Sequence, residues 1–158
     1  MSLRSMQNSI IVRPVAATDV DRLIEFNLRM AEETEGKQLD SKVLACGVKA
    51  VLEEPKRGFY LVAEVDGEVA GSLMVTTEWS DWRNSEYWWI QSVYVHKSWR
   101  QKGIFTQLFK AIKKIAQKND IEVLRLYVYN ENVKAKETYI ASGMKEKTYS
   151  IYQISLEP

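Results

Sequence analysis

The chain has 158 residues, of which 46% are hydrophobic and 27% charged, so it can bury the core of one domain. Its net charge of +1 argues against a strongly basic surface for nucleic acid or an anionic membrane. Cys46 is the single cysteine, which excludes an intramolecular disulfide and is typical of a reducing cytoplasm. We expect no secretion leader, since residues 1–8 are polar, and no membrane-spanning segment, since no apolar run approaches 18 residues. We expect a cytoplasmic protein with one domain over residues 1–158 and a core at about 9–156.

The first part of the chain predicts a strand and two helices. Residues 9–15 begin as an apolar run and reach Arg13-Pro14 near their end, which predicts a short first strand. Thr18 is expected to cap the next helix, with Asp21 completing a capping box. Residues 32–40 predict a polar break, and a second helix is expected over residues 41–53.

Two β-rich runs follow, at Phe59–Val65 and Glu68–Thr77. Asp66-Gly67 joins them, and this dipeptide favours a tight hairpin turn. Residues 78–86 mix polar and aromatic side chains, which predicts a loop.

Residues 87–95 predict a long strand that is apolar on both of its faces. Strict alternation puts the side chains into two sets: Trp89, Val93 and Val95 on one face, and Trp88, Ile90 and Tyr94 on the other. A strand of this kind is covered on both faces, so we expect it in the middle of the sheet with helices on either side.

The second half of the chain predicts a helix, a strand and another helix. Apolar residues recur at helical spacing after Gly103. Residues 122–129 predict a strand, and residues 131–141 predict a helix that Gly143 ends. The alternating tail at 144–156 predicts one or two further strands. This element order is that of an α/β or mixed α+β fold.

A basic loop, Arg100-Gln101-Lys102-Gly103, lies between the long strand and the following helix. Free N–H groups and the helix dipole at such a position bind anions, and Gly103 lets the backbone approach a phosphate. Arg100 and Lys102 add positive charge. The same residues also fit a strand-to-helix turn with a solvated basic face. Neither GxxxxGK[ST] nor GxGxxG occurs, which argues against nucleotide hydrolysis and hydride transfer.

Two segments resemble the GNAT superfamily of N-acetyltransferases, in particular its bacterial members. Arg100 and Gly103 stand at constrained positions of the family's R/Q-x-x-G-x-G/A signature, while Phe105 replaces its last, small residue. A later family segment, N-x-x-A-x-x-x-Y-x-x-x-G-F/M, is matched by Asn132, Ala135, Tyr139, Gly143 and Met144. The resemblance implies a splayed mixed sheet of about six or seven strands with helices on both faces.

The resemblance also implies acetyl-CoA as co-substrate and no metal. The backbone of residues 93–95 would pair with the pantetheine arm, residues 101–106 would wrap the pyrophosphate, and Asn132 would bond the pantetheine or the strand backbone. The residues expected to bind acetyl-CoA are Val93, Tyr94, Val95, Arg100, Gln101, Lys102, Gly103, Ile104, Phe105, Thr106, Asn132, Ala135 and Tyr139.

The family's reaction is direct attack of an amine on the thioester within a ternary complex. By resemblance, Tyr139 would lie beside the sulfur and donate a hydrogen bond to the departing thiolate. A backbone N–H near Tyr94 would stabilise the tetrahedral oxyanion. Tyr139 also fits a tyrosine packed in the core, without a catalytic role.

The sequence leaves the catalytic base open. Some polyamine-acetylating relatives carry a glutamate where Gln91 stands, and an amide cannot take a proton. Glu86 is assigned as the base, and Glu78 and Asp81 of the same segment could also serve, directly or through water. Glu32, Glu33 and Glu35 are the other candidates, because the resemblance implies that their region forms the acceptor wall. For any single one of these carboxylates, the residue type favours a solvated surface position over a catalytic one.

Residues 78–89 are rich in tryptophan with interleaved charges, which fits either an acceptor pocket that stacks on an amine or ordinary packing. Arg83 would instead select a carboxylate-bearing acceptor. The residues assigned to the acceptor are Glu33, Glu78, Trp82, Arg83, Trp89 and Gln91. We expect an N-acetyltransferase that acts on a primary amine of a small molecule or peptide.

Three further hypotheses remain. A non-catalytic acyl-CoA-binding module is the alternative function, since Gln91 replaces a glutamate. Nucleic-acid binding through the lysines of the helix at 110–114 is disfavoured by the near-zero net charge. The resemblance also implies a homodimer as a third hypothesis, because proteins of this fold often dimerise, here through the terminal strands or the tryptophan-rich segment.

Overall fold

The computed structural model describes residues 9–156, in which four α-helices surround one mixed β-sheet. Strands β1 to β4 pair antiparallel in chain order, and β5 pairs parallel to β4. The strands are β1 Ile10–Pro14, β2 Phe59–Val65, β3 Glu68–Ser80, β4 Ser85–Val95 and β5 Leu124–Arg125. The helices are α1 Val20–Glu35, α2 Ser41–Glu53, α3 Ile104–Lys118 and α4 Val133–Ala141.

Helices cover both faces of the sheet, as the sequence predicts. On one face, Leu23 and Phe26 of α1 and Val48 of α2 pack against Val62 and Tyr94. The opposite face is covered by α3 through fully buried side chains: Ile104, Leu108 and Ile112. Burial of an aliphatic side chain of this size contributes about 1.5–3 kcal/mol, so these contacts fix both helix layers on the sheet.

Asp19, and not Thr18, organises the start of α1. A 3-10 turn at Ala17–Asp19 precedes the helix, and Thr18 is exposed. The Asp19 carboxylate accepts the Ala16 N–H at 2.7 Å and pairs with Arg13 at 2.7 Å. The predicted capping box is therefore wrong, because an arginine from β1 holds a different carboxylate at the helix start.

The connection between α1 and α2 is shorter than predicted. α1 continues through Glu35 and ends at Gly36, which adopts a left-handed φ of 62°. α2 has the predicted bounds, and Asp40 caps it by accepting the Lys42 N–H at 2.8 Å. The helix at 32–35 places Glu33 on the surface that faces the end of β4.

Two β-hairpins, β2–β3 and β3–β4, form the middle of the sheet. Asp66 and Gly67 have φ values of 51° and 80°, so the predicted tight turn between β2 and β3 is confirmed. The predicted loop at 78–86 is wrong, since β3 extends to Ser80 and β4 begins at Ser85. The polar and aromatic residues at these positions, whose mixture is typical of a loop, pair across the two strands instead.

A bulge in β4 changes which face its side chains occupy. The register with β3 shifts beside Ser92, whose φ is 50°. Val93 and Val95 therefore pack with Ile90 on the α3 side, while Tyr94 packs on the α1 side. The predicted facing, which put Tyr94 with Ile90, is wrong because an extra residue breaks the two-residue alternation.

β4 and β5 separate after two residue pairs: Trp88 with Leu124, and Trp89 with Arg125. The sheet is splayed there, as the resemblance implies. The strand predicted over 122–129 is reduced to β5, and the tail at 144–156 lies outside any strand. The described sheet has five strands, fewer than the roughly six or seven expected. Alternation alone predicted strands in the tail, but the tail pairs with no strand within residues 9–156.

Candidate active site

A cleft of 670 Å³ lies beside the end of β4, where this strand no longer pairs with β5. Its walls are α1, the end of β4, the basic loop, the start of α3, and α4. All predicted acetyl-CoA residues except Lys102 line it: Val93, Tyr94, Val95, Arg100, Gln101, Gly103, Ile104, Phe105, Thr106, Asn132, Ala135 and Tyr139. Of the predicted acceptor residues, Glu33 also lines it.

Sequence reasoning missed a second group of lining residues: Met30, Thr34, Trp99, Tyr129, Glu131, Lys134 and Thr138. Several of them follow from helical spacing. Met30 lies one helical turn before Glu33 on α1, Thr34 lies one turn after Met30, and Thr138 lies one turn from Ala135 on α4. Extending the matched positions by one helical turn would have found them.

The basic loop ends at an uncapped helix N-terminus. Gln101 and Gly103 have left-handed φ values of 61° and 83°, and α3 begins directly after them with no side-chain cap. Gln107 donates to the Gly103 carbonyl at 3.1 Å. The N–H groups of residues 104–106 precede it and lack acceptors inside the helix. Left-handed residues followed by free N–H groups form an anion-binding concavity at the floor of the cleft.

Arg100 is fixed by three neighbours at the edge of the cleft. Its Nε donates to the Val95 carbonyl at 2.9 Å, and its Nη2 donates to Glu33 at 2.7 Å. The guanidinium carbon also lies 5.4 Å from the Tyr94 ring centroid. Lys102 does not line the cleft, and its ammonium lies 5.0 Å from the ring centroid of Trp99.

Glu33 is the acidic centre of this edge. The Tyr94 hydroxyl donates to it at 2.9 Å, in addition to the Arg100 contact. Burial opposes its ionisation, but the hydrogen bonds from Arg100 and Tyr94 outweigh burial and hold the pKa of Glu33 below its usual range. Burial and the hydrogen bond to Glu33 raise the pKa of Tyr94 to about 12. Glu33 is therefore ionised at neutral pH and is a weak proton acceptor.

Two residues of α4 face the opposite wall. Asn132 caps α4 by accepting the Ala135 N–H at 3.2 Å, so its side-chain oxygen already has a partner. Tyr139 lines the cleft, with its ring centroid 5.5 Å from that of Phe105. Burial raises the pKa of the Tyr139 hydroxyl, which keeps it protonated at neutral pH.

The remaining predicted catalytic residue, Glu86, is not brought to the cleft. It pairs with Trp79 across the β3–β4 hairpin. Tyr94 lies near the other end of β4, about 25 Å away along an extended strand. In the sequence Glu86 stands next to the long strand, which suggests it as the base. In the structure the extended hairpin separates it from the cleft.

The other predicted acceptor residues lie along the same hairpin, outside the cleft. Glu78 accepts hydrogen bonds from Trp89 at 3.3 Å and Arg125 at 3.2 Å. Arg125 also lies 5.8 Å from the Trp89 ring centroid, so a protein cation already occupies the position suggested for an amine. Trp82 is 95% exposed on the turn, and Arg83 lies over the Tyr87 ring. Gln91 donates to the Thr76 hydroxyl: Gln91 Nε2 to Thr76 Oγ1.

Two features are absent from the part of the chain that the structure describes. Residues 9–156 contain no group of three or more His, Cys, Asp or Glu side chains arranged to hold a metal ion. None of the helices in the same range is long and apolar enough to cross a membrane.

Two similar proteins match this chain over most of its length. The uncharacterized N-acetyltransferase in the pepI 3' region of Lactobacillus delbrueckii subsp. lactis is 28% identical over 142 residues, which cover 82% of this chain and 81% of the relative. A possible acetyltransferase from Clostridium difficile 630 is 46% identical, with a TM-score of 0.88, and covers 94% of this chain and 99% of its own.

A more distant structure shares the fold. An aminoglycoside N-acetyltransferase in complex with CoA is 16% identical, with a TM-score of 0.77, and covers 98% of this chain and 99% of its own. The model of the acetyltransferase (GNAT) family matches residues 21–144, which include nearly all of α1, the strands β2 to β5, the basic loop and α4. With this match and the 46% identical structure, the chain belongs to the GNAT family of acetyltransferases.

Proposed function

We propose that the protein transfers an acetyl group from acetyl-CoA to a primary amine of a small molecule or peptide, by direct attack in a ternary complex. The observation that carries this proposal is the cleft at the splay of β4, which ends on the uncapped N-terminus of α3. Such a site offers unpaired strand backbone to an extended arm and free N–H groups to a pyrophosphate.

The arrangement supports one orientation of the donor. The pyrophosphate would lie against the N–H groups of residues 103–106, and the pantetheine would run along the free edge of Val93–Val95. This direction brings the thioester toward the bulge at Ser92. A backbone N–H next to Tyr94 would donate to the developing oxyanion.

Tyr139 would assist departure of the thiolate. An ordinary phenol has a pKa near 10 and a thiol a pKa near 8.5, so full proton transfer from tyrosine to thiolate is uphill. Burial raises the pKa of Tyr139 further. We therefore assign it the role of a hydrogen-bond donor to the thiolate, with the final proton taken from solvent.

The amine would reach the site already neutral or lose its proton to water. Glu86 is distant from the cleft, and the pKa of Glu33 is lowered, which makes both unsuitable as a base. An alkylammonium has a pKa near 10.4, so the rate should rise with pH as the free amine becomes more abundant.

The acceptor would enter beside the aromatic side chains that adjoin the cleft. Tyr129 lines the cleft, and 48% of it is exposed to solvent. This surface suits an amphipathic amine, and the aminoglycoside-acetylating relative makes aminoglycosides one member of the panel to be tested.

The experiment is acetyl-CoA-dependent thiol release with polyamines, aminoglycosides, amino acids and peptides. Turnover on one acceptor class supports the transferase. The alternative is a non-catalytic acyl-CoA-binding module, favoured by the low pKa of Glu33 and the amide at Gln91. Tight CoA binding with no turnover on any acceptor would favour that alternative, and the absence of CoA binding would exclude both functions.

A further inference from the structure

The Glu33 side chain, 24% exposed, joins three elements of the fold. On α1, it accepts from the Tyr94 hydroxyl of β4 through Oε1 at 2.9 Å and from Arg100 of the basic loop through Oε2 at 2.7 Å. Lys97 adds a third contact, with its ammonium 3.6 Å from Oε1. Each carboxylate oxygen therefore has a partner within the chain.

These contacts leave Glu33 poorly suited to hold the acceptor amine, although it lines the cleft. An incoming ammonium would have to displace Arg100 or compete with Lys97 for the same two oxygens. An ammonium that displaced Arg100 would replace one charge-assisted hydrogen bond with another and leave the guanidinium without its carboxylate partner, so the exchange brings no net gain.

Arg100 connects Glu33 to the basic loop through hydrogen bonds. Its Nε is bonded to the Val95 carbonyl while its Nη2 is bonded to Glu33, so the plane of the guanidinium is set from two directions. The next residues, Gln101 and Gly103, hold the left-handed conformations that present the N–H groups. Because Arg100 is held at both ends of its guanidinium, the backbone of the turn that follows it can adopt fewer conformations.

We infer that Glu33 is a positioning residue for the acyl-CoA loop, acting through Arg100 and Tyr94, and not a ligand of the acceptor amine. This inference rests on the proposed function, since it assumes that acetyl-CoA binds in the cleft. It assigns α1 a structural part in donor binding, in addition to forming a wall of the cleft.

Electrostatics alone gives the opposite expectation, which makes the inference testable. A carboxylate next to a polyanion site repels the ligand, so its removal should strengthen CoA binding, most of all at low salt. If Glu33 positions the loop, its removal should weaken CoA binding in spite of the more positive charge.

The experiment measures CoA binding by titration calorimetry for wild type, Glu33→Gln and Glu32→Gln. Glu32 is the matched control, since it is an exposed carboxylate on the same helix and its substitution changes the net charge equally. We expect Kd for CoA to rise about tenfold in Glu33→Gln and less than twofold in Glu32→Gln. In turnover assays the KM for acetyl-CoA should rise while kcat stays within about twofold. Equal or tighter CoA binding by Glu33→Gln would overturn the inference.

Two further variants keep the test decisive. Glu33→Asp preserves the charge but is shorter by one methylene, so it should also weaken CoA binding by at least about threefold. Arg100→Gln combined with Glu33→Gln should bind CoA no more than about twofold more weakly than Arg100→Gln alone, because both substitutions break the same link. Wild-type affinity in Glu33→Asp, or fully additive losses in the double variant, would contradict the positioning role. Failure of the wild-type protein to bind CoA would instead count against the proposed function.

Discussion

The ring of Phe105 meets the ring of Tyr139 nearly edge-on, with their centroids 5.5 Å apart and their planes at 61°. Phe105 also stacks on Phe109 at 5.6 Å, so Tyr139 is linked to the buried side of α3. No residue of α4 is buried. Phe105 stands where the GNAT signature has a small residue, and here it fills the space between α3 and α4.

Phe105→Ala should reduce kcat about three- to tenfold, because an aromatic pair contributes about 0.5–1.5 kcal/mol and its loss frees the Tyr139 ring. The KM for acetyl-CoA should change less than kcat, since the backbone N–H groups of the loop are retained. Ile140→Ala is the control, as Ile140 neighbours Tyr139 on α4 but is 62% exposed. Initial rates with saturating acceptor test this, and a wild-type kcat in Phe105→Ala would exclude a role for Phe105 in placing Tyr139.

Tyr139→Phe should lower kcat by roughly 10²-fold with little change in the KM for acetyl-CoA, because only the hydroxyl that stabilises the thiolate is removed. Circular dichroism and thermal unfolding of the variant provide the control for folding. A kcat within about twofold of wild type would assign Tyr139 to packing alone.

The pH dependence of kcat should reflect the raised pKa of Tyr139. The hydroxyl acts in its protonated form, so activity falls only as pH rises through its folded pKa. Since that pKa lies above the ordinary value near 10, wild-type kcat should not decline between about pH 7 and 9.5. A decline with an apparent pKa near 8 that is absent in Tyr139→Phe would contradict this assignment.

Gly103 and Gly36 offer a matched pair of substitutions. Both adopt left-handed φ values, 83° and 62°, and a Cβ at either position meets no atom within 4 Å. Each change to Ala should therefore cost about 1–2 kcal/mol of unfolding free energy through backbone strain alone. Only Gly103→Ala should also weaken CoA binding, because only Gly103 lies in the loop. Calorimetry with CoA and urea unfolding separate the two effects, and equal CoA affinities would remove Gly103 from the site.

The parts of the fold that the sequence predicts correctly depend on local signals. Asp66-Gly67 sets the β2–β3 turn, and α2 has both of its predicted ends. Gly103 marks the basic loop because its left-handed φ of 83° favours glycine. The acetyl-CoA residues are a different case, since their prediction rests on the resemblance to the GNAT motifs, and nearly all of them lie together in one cleft.

The parts that the sequence does not predict depend on partners distant along the chain. The bulge at Ser92 arises from the pairing of β4 with β3, and a serine at this position does not by itself indicate a bulge. The link from Glu33 to Arg100 joins α1 to the basic loop, so the carboxylate looks like a free surface group in the sequence. Glu86 shows the converse, since closeness along the chain to the long strand does not bring it to the cleft.

The last prediction concerns stability at the start of α1. The Asp19 side chain is 7% exposed and accepts from Arg13 Nη1 at 2.7 Å, Arg13 Nη2 at 3.1 Å and the Ala16 N–H at 2.7 Å. The hydrogen bond from Arg13 is the main cause that lowers the pKa of Asp19, against the opposing effect of burial. The ionised form is therefore stabilised in the folded protein.

A lowered folded pKa stabilises the protein above the unfolded pKa of about 3.9, and this contribution is lost as pH falls through the folded pKa. Asp19→Asn should reduce the unfolding free energy by about 1–3 kcal/mol at pH 7, with a smaller difference from wild type at pH 3. Asp120→Asn is the control, because Asp120 is exposed and its φ of 56° is one that asparagine also adopts. Urea unfolding at both pH values measures the difference. A loss in Asp19→Asn that does not depend on pH would mean that packing or geometry at Asp19 matters more than its charge.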